Sequence, residues 1–172
     1  MAKSITLSQL NNGNDTEFLA AVGDVFEHSP WLVNRAAKQR PFETRTALIS
    51  ALLDTMNTAT DEEKLALIRA HPDLAPKAAR SGSLSHHSTQ EQASAGLDQL
   101  SEDEYRRFNK LNNAYREKFG FPFIIAVLDH TKESIFQGFE NRIERDPVAE
   151  INEAILNIGR IVSLRVINTV KE

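Results

Sequence analysis

The sequence predicts an all-α fold: a single helical domain over residues 1–172, with no substantial sheet. Three observations carry this. Apolar residues recur at three- and four-residue steps along most of the chain, the period of a helix with one buried face. Helix-start signals precede several of these stripes: Thr60 with Glu63, Ser101 with Glu104, and Asp146-Pro147. The one long apolar run without clear period, Phe121 to Leu128, has no evident partner strand.

Taken in order, Phe18, Val22, Val25 and Phe26 form a first stripe, ended by His28-Ser29-Pro30. A second helix starts at Pro30 or Trp31 and runs to about Gln39, ahead of Pro41. Thr44 to Met56 places Ala47, Leu48, Ala51, Leu52 and Met56 on one face. Thr60 caps a helix carrying Leu65, Leu67 and Ile68, which must end near His71 because Pro72 disfavours helical geometry before it. Residues 76–87, rich in Ser, Gly and basic side chains, read as an exposed loop with at most a helical turn. Ser88 and Glu91 then have capping-box spacing at the head of a further helix.

Ser101 opens a helix with Tyr105, Phe108, Leu111, Tyr115 and Phe119 on one face, stopped by Gly120. Phe121 to Leu128 reads as a buried turn leading into, or forming part of, a helix. Thr131 to about Ile143 is helical, and Asp146-Pro147 starts a final helix reaching Val170. Its stripe is Val148, Ile151, Ile155, Ile158 and Val162, and the next step lands on Arg165 or Val166.

Composition narrows the function classes. A hydrophobic fraction of 41% and a charged fraction of 26% suit a soluble globular domain. A net charge of -4 leaves no basic excess to displace counterions from phosphates, so no nucleic-acid partner is expected. The absence of cysteine excludes disulfides, zinc–thiolate sites, iron–sulfur clusters and thiolate nucleophiles. No apolar run has the length of a membrane span. No apolar segment follows Met1-Ala2-Lys3-Ser4, and Lys171-Glu172 is not a peroxisomal signal. The expectation is a cytoplasmic protein without a membrane partner. Walker, GxGxxG and GxSxG motifs are lacking, so no organic cofactor is expected. His86-His87 could join His71 and Glu91 on a metal, but their spacing matches no ligand pattern.

The residues that could carry chemistry fall in two places. His71 lies three residues after Ile68 and four after Leu67, so its imidazole shares a face with apolar side chains at the edge of the core. It is the natural proton donor or acceptor near neutral pH, or else a histidine capping a carbonyl. Ser88-Thr89-Gln90-Glu91-Gln92, followed by Ala93, Ser94, Ala95 and Gly96, groups a hydroxyl, a carboxylate and an amide beside small residues at a helix start. That arrangement suits capping, anion binding, or both. Arg165 continues an apolar stripe and therefore needs an anionic partner or a route to water. The partner is either a ligand carboxylate or an internal acid. On these residues alone an acid/base enzyme, a metal-dependent hydrolase using His71, His86 and Glu91, and a helical module binding a small anion or a protein partner all stand.

Taken together, several segments resemble the OHCU decarboxylases, which act on 2-oxo-4-hydroxy-4-carboxy-5-ureidoimidazoline in urate breakdown. They are Phe26-Glu27-His28-Ser29-Pro30-Trp31, His71-Pro72-Asp73-Leu74, Ser88-Thr89-Gln90-Glu91-Gln92 with Ala95-Gly96-Leu97, Leu111-Asn112 with Tyr115, Phe119-Gly120-Phe121-Pro122-Phe123-Ile124, and Leu164-Arg165. The resemblance implies an all-helical, usually homodimeric, cofactor-independent enzyme yielding S-allantoin and carbon dioxide from a small anionic substrate. It implies that His71 is catalytic, assisted by Glu91, which also contacts the substrate. Ser88 and Gln92, with Thr89 and Gln90 between them, are implied to bind the ureido or ring groups. Arg165 is implied to face an anionic part of the ligand. Backbone from Pro72 and from Phe123, Ile124, Ile125, Ala126 and Val127 is implied to line the pocket.

Overall fold

Side-chain caps set most of the helix boundaries in the computed structural model, which describes residues 4–75 and 84–172. Among the described residues there are nine α-helices, one 3-10 turn and two strands of two residues each. The strands, β1 (Ile5–Thr6) and β2 (Val170–Lys171), pair in parallel with Ile5 opposite Val170 and Thr6 opposite Lys171. The fold is therefore all-α, as expected. The chain divides into two units, one of Met1–Ala70 with Gly159–Glu172 and one of His71–Ile158.

The first unit opens with α1 (Leu7–Asn12), started by a capping box between Thr6 and Gln9. Helix α2 (Asp15–Val22) is capped in the same way by Asn14 and Glu17. Helices α3 (Pro30–Ala37), α4 (Arg45–Asn57) and α5 (Asp61–Ala70) follow. Thr44 caps α4 by accepting from the Ala47 N–H, and the expected Thr60–Glu63 box closes at 3.0 and 3.2 Å. Phe18, Val22, Leu32, Leu48, Leu52, Leu67, Ile68, Val162 and Val166 form the core of this unit. Val25 and Phe26 lie beyond the end of α2 yet are also buried. The stripe was therefore legible, although the helix under it stops at Val22.

The second unit contains α6 (His86–Ser94), α7 (Glu102–Phe119), the 3-10 turn Val127–Asp129 and α8 (Lys132–Arg142). Helix α9 (Pro147–Thr169) gives its first residues to this unit and its last to the other. Asp146 starts α9 by accepting from the Val148 N–H at 2.8 Å. Gly120, at φ 75, ends α7 in the left-handed region that glycine enters without steric cost. The core here is aromatic. Tyr115 meets Phe121, Phe123 and Phe139 edge-on, and Phe123 stacks on Phe139 at 3.8 Å.

Two local expectations are corrected, the start of α6 and the buried face of α9. Helix α6 begins at His86, because the Ser85 hydroxyl, not that of Ser88, takes the capping position and accepts from the Ser88 N–H at 3.1 Å. The reason is burial: Ser88 and Gln92 turn inward, which sets the register one cap earlier. Of the expected loop at 76–87, residues 76–83 lie outside the described residues, and its last two residues are helical. On α9 the buried face runs through Glu150, Ala154, Ile158, Val162, Arg165 and Thr169, whereas Val148 is 66% exposed. Apolar spacing misplaced the first turn because a buried carboxylate stands where an apolar residue was expected. The 121–127 stretch is buried throughout and non-helical until Val127.

Ser85→Ala should lower unfolding free energy by about 1 kcal/mol through loss of the α6 cap, read by urea denaturation. The Arg35 guanidinium hydrogen-bonds the Glu63 carboxylate and, with the Thr60 N–H, lowers its pKa from 4.5 to about 2. A depressed carboxylate stabilises the fold above its ordinary value and loses that contribution as pH falls toward 2. Arg35→Ala should therefore flatten the acid side of the stability–pH curve over that interval.

Candidate active site in the second unit

Helix α5 stops at Ala70, and the next five residues, His71 to Ala75, form a short connection that begins the second unit. His71 is buried at 6% exposure, as its position after Leu67 and Ile68 predicts. Ala75 adopts φ +46, a left-handed conformation that a side chain disfavours. Side chains from two helices hold the connection there. Gln92 of α6 accepts from the Ala75 N–H at 2.9 Å, and its Nε2 stands 3.5 Å from the Asp73 carbonyl. Asn112 of α7 donates to the Leu74 carbonyl at 2.7 Å. Arg116 of α7 donates to the Asp73 carboxylate at 2.7 Å.

Helix α6 sorts the predicted run into faces. Ser88 and Gln92, one turn apart, are buried, and Glu91 beside them is half-buried. Thr89 and Gln90 are exposed, and the Thr89 hydroxyl donates to the Ser85 carbonyl. The same helix packs on the 3-10 turn at Val127–Asp129. The second unit thus brings the His71–Ala75 stretch and the turn that begins at Val127 onto α6.

The buried, irregular stretch Phe121–Ala126 needs partners for its backbone polar groups. Arg142 donates to the Ile124 carbonyl at 2.7 Å, and the Asn157 carbonyl oxygen accepts from the Ala126 N–H at 3.0 Å. Arg142 is itself fixed. Its Nε donates to Glu150 at 3.0 Å, its guanidinium lies over the Phe123 ring at 4.3 Å, and the Tyr115 hydroxyl donates to the same Glu150 carboxylate oxygen. Burial, followed by the hydrogen bond to Glu150, pushes the Tyr115 phenol well above its ordinary pKa, so it remains a donor.

Arg165 belongs to the first unit. It is 2% exposed and its Nη1 donates to Glu27, itself 0% exposed, at 2.7 Å. The same nitrogen lies 3.3 Å from the Asp24 carbonyl and 3.4 Å from that of Val25. Glu27 and His28 both take positive φ, at 37 and 50, which turns the Glu27 carboxylate inward. Of the two partners that the sequence left open for Arg165, an internal acid is present in its own unit. Among the described residues, no group of three His, Cys, Asp or Glu side chains is arranged to hold a metal ion.

Arg116, Arg142, Glu150 and Asn157 have no place in the motifs read from the sequence, and Asn112 stands there only beside Leu111, with no role assigned. A polar residue at i+4 from Phe108 and i−3 from Tyr115 is the signal that would have found Asn112. The displaced Glu150 had no such signal, since it sits beside the apolar stripe that was read.

Against known proteins, the OHCU decarboxylase family model matches residues 11–167. The chain belongs to the OHCU decarboxylase family. It is 40% identical over 161 residues to the 2-oxo-4-hydroxy-4-carboxy-5-ureidoimidazoline decarboxylase of Haloferax volcanii, covering 94% of each chain. It is 32% identical to the Xenopus laevis enzyme of that name, over 93% of this chain and 91% of the other. A crystal structure of (S)-allantoin synthase superposes with a TM-score of 0.77 at 27% identity, over 97% of this chain. This chain spans 54% of that longer one. The family expected from the motifs is the family found, and the OHCU decarboxylase fold accounts for the helical architecture of both units.

The Arg165–Glu27 pair generates a stability prediction. Removing one partner leaves a buried charge unmet, so Arg165→Ala should cost about 3–5 kcal/mol. Arg165→Met with Glu27→Leu should recover most of that loss. Denaturant melts of the two single variants and the double variant check both statements.

Proposed function

We propose that this OHCU decarboxylase removes the carboxyl group of 2-oxo-4-hydroxy-4-carboxy-5-ureidoimidazoline in urate breakdown, giving S-allantoin and carbon dioxide, with His71 as proton donor. The observation that carries the activity is the family match over residues 11–167, joined to relatives of that name along nearly their whole length. What supports the role of His71 is its chemistry and setting: a buried imidazole in a short connection held by three side chains.

The reaction breaks the bond between the ring carbon and the carboxylate. The electron pair left on that carbon passes into the adjacent imine and carbonyl of the substrate, so the reading calls for no organic cofactor. One proton must then reach that carbon from one side, which sets the S configuration. An imidazole with a fixed direction can supply it. In this reading Glu91 holds and recharges the imidazole, while Ser88 and Gln92, with Thr89 and Gln90 in the same turn, orient the ureido and ring groups. Backbone of Pro72 and of Phe123, Ile124, Ile125, Ala126 and Val127 forms the apolar wall. The whole chain, 1–172, acts as one catalytic domain, as a cytoplasmic homodimer. A solution mass twice that of the chain checks the dimer.

The test generates the substrate from urate through hydroxyisourate and follows the handedness of allantoin by circular dichroism. Added protein should speed formation of the S enantiomer, and unchanged rate with racemic product would reject the activity. His71→Asn should lower kcat by at least about 100-fold with an unchanged far-ultraviolet spectrum. Near wild-type turnover in that variant would reject the proton-donor role.

A further inference from the structure

We propose that Asn112 is a positioning residue for His71. The inference rests on the reading of His71 as proton donor and adds a residue to it. Asn112 sits on the buried face of α7, between Phe108 and Tyr115, at 4% exposure. An amide among aromatic rings loses its hydration and needs compensation. Here it has one hydrogen bond, from Nδ2 to the Leu74 carbonyl at 2.7 Å. Its Oδ1 is buried without a hydrogen-bond partner among the described residues. Leucine would fill this position with no orphaned acceptor, so packing does not account for the amide. Its bond to Leu74 does.

That bond falls on a telling peptide. The Leu74 carbonyl and the Ala75 N–H belong to one planar unit. Asn112 holds its oxygen and Gln92 holds its nitrogen, at 2.7 and 2.9 Å. Two helices thus fix one peptide plane, just before the left-handed Ala75. The chain between this plane and His71 has little freedom left. Pro72 locks its own φ and restricts the backbone of His71, while Arg116 holds the Asp73 carboxylate. Setting the Leu74 carbonyl therefore sets the backbone that aims the imidazole. If Asn112 is lost, the plane can rotate and the proton donor is misdirected while α7 stays packed.

Two variants test this. Asn112→Leu deletes the donor and the orphaned acceptor together. It should melt close to the wild type, with kcat down about 10- to 100-fold and KM little changed. Asn112→Asp can donate to Leu74 only as the neutral acid, and burial raises the pKa of such a carboxyl. Its kcat relative to the wild type should therefore climb as pH falls, while the Asn112→Leu ratio stays flat. The proposal is overturned if Asn112→Leu keeps wild-type kcat, or, should that variant not fold, if Asn112→Asp shows no recovery of relative kcat at low pH. His71→Asn is run alongside. An active His71→Asn enzyme defeats the underlying assignment, whereas an inactive one beside a fully active Asn112→Leu defeats only the positioning role.

Discussion

A charge taken out of water must be met by its opposite, and α9 carries one half of such a pair in each unit. Near its start, Glu150 receives Arg142 and Tyr115; near its end, Arg165 reaches Glu27. Neither pair is a surface ornament, since all four charged side chains are buried. Such a pair adds little over well-packed apolar residues but is costly to break by halves. Its effect is to specify. Arg142 can satisfy both Glu150 and the Ile124 carbonyl in only one arrangement of α8, α9 and the stretch after α7. In the first unit, Arg165 draws in a carboxylate from a turn whose two central residues adopt positive φ, and it spans the Asp24 and Val25 carbonyls as well.

The same economy governs the candidate site. Two stretches that carry candidate residues, His71–Ala75 and Phe121–Ala126, are irregular backbone with buried residues, where a helix would have met its own hydrogen bonds and these stretches cannot. Side chains from neighbouring helices supply the partners instead: Gln92 and Asn112 for the first, Arg142 and Asn157 for the second. Irregular backbone held in this way presents carbonyls and N–H groups in fixed directions. Fixed directions of that kind are what any reaction that depends on orienting a small polar substrate asks of a protein.

Several helices were legible because their ends are encoded within four residues. Thr60 with Glu63, Ser101 with Glu104, Asp146 ahead of Pro147, and Gly120 behave as their local chemistry requires. The boundary of α6 was not legible. Ser85 and Ser88 are equally good caps in sequence, and only burial of the Ser88 and Gln92 side chains separates them. The start of α9 misled for a related reason. Val148, Ile151 and Ile155 follow a helical step, but the buried line runs through Glu150 and Ala154, because a carboxylate with a guanidinium partner can occupy the core as an apolar residue does.

The sequence by itself determined the helix class, the caps that start most helices, the family, and the candidate site segments around His71 and Ser88–Gln92. These depend on spacing within one or two turns, and such spacing is written along the chain. The tertiary structure alone decided which polar residues are buried and whom they meet: Arg165 with Glu27, Arg142 with Glu150, Asn112 with Leu74. Those partners lie 138, 8 and 38 residues apart. The cost of a buried polar group is settled by whatever packing brings beside it, and no local pattern records that neighbour.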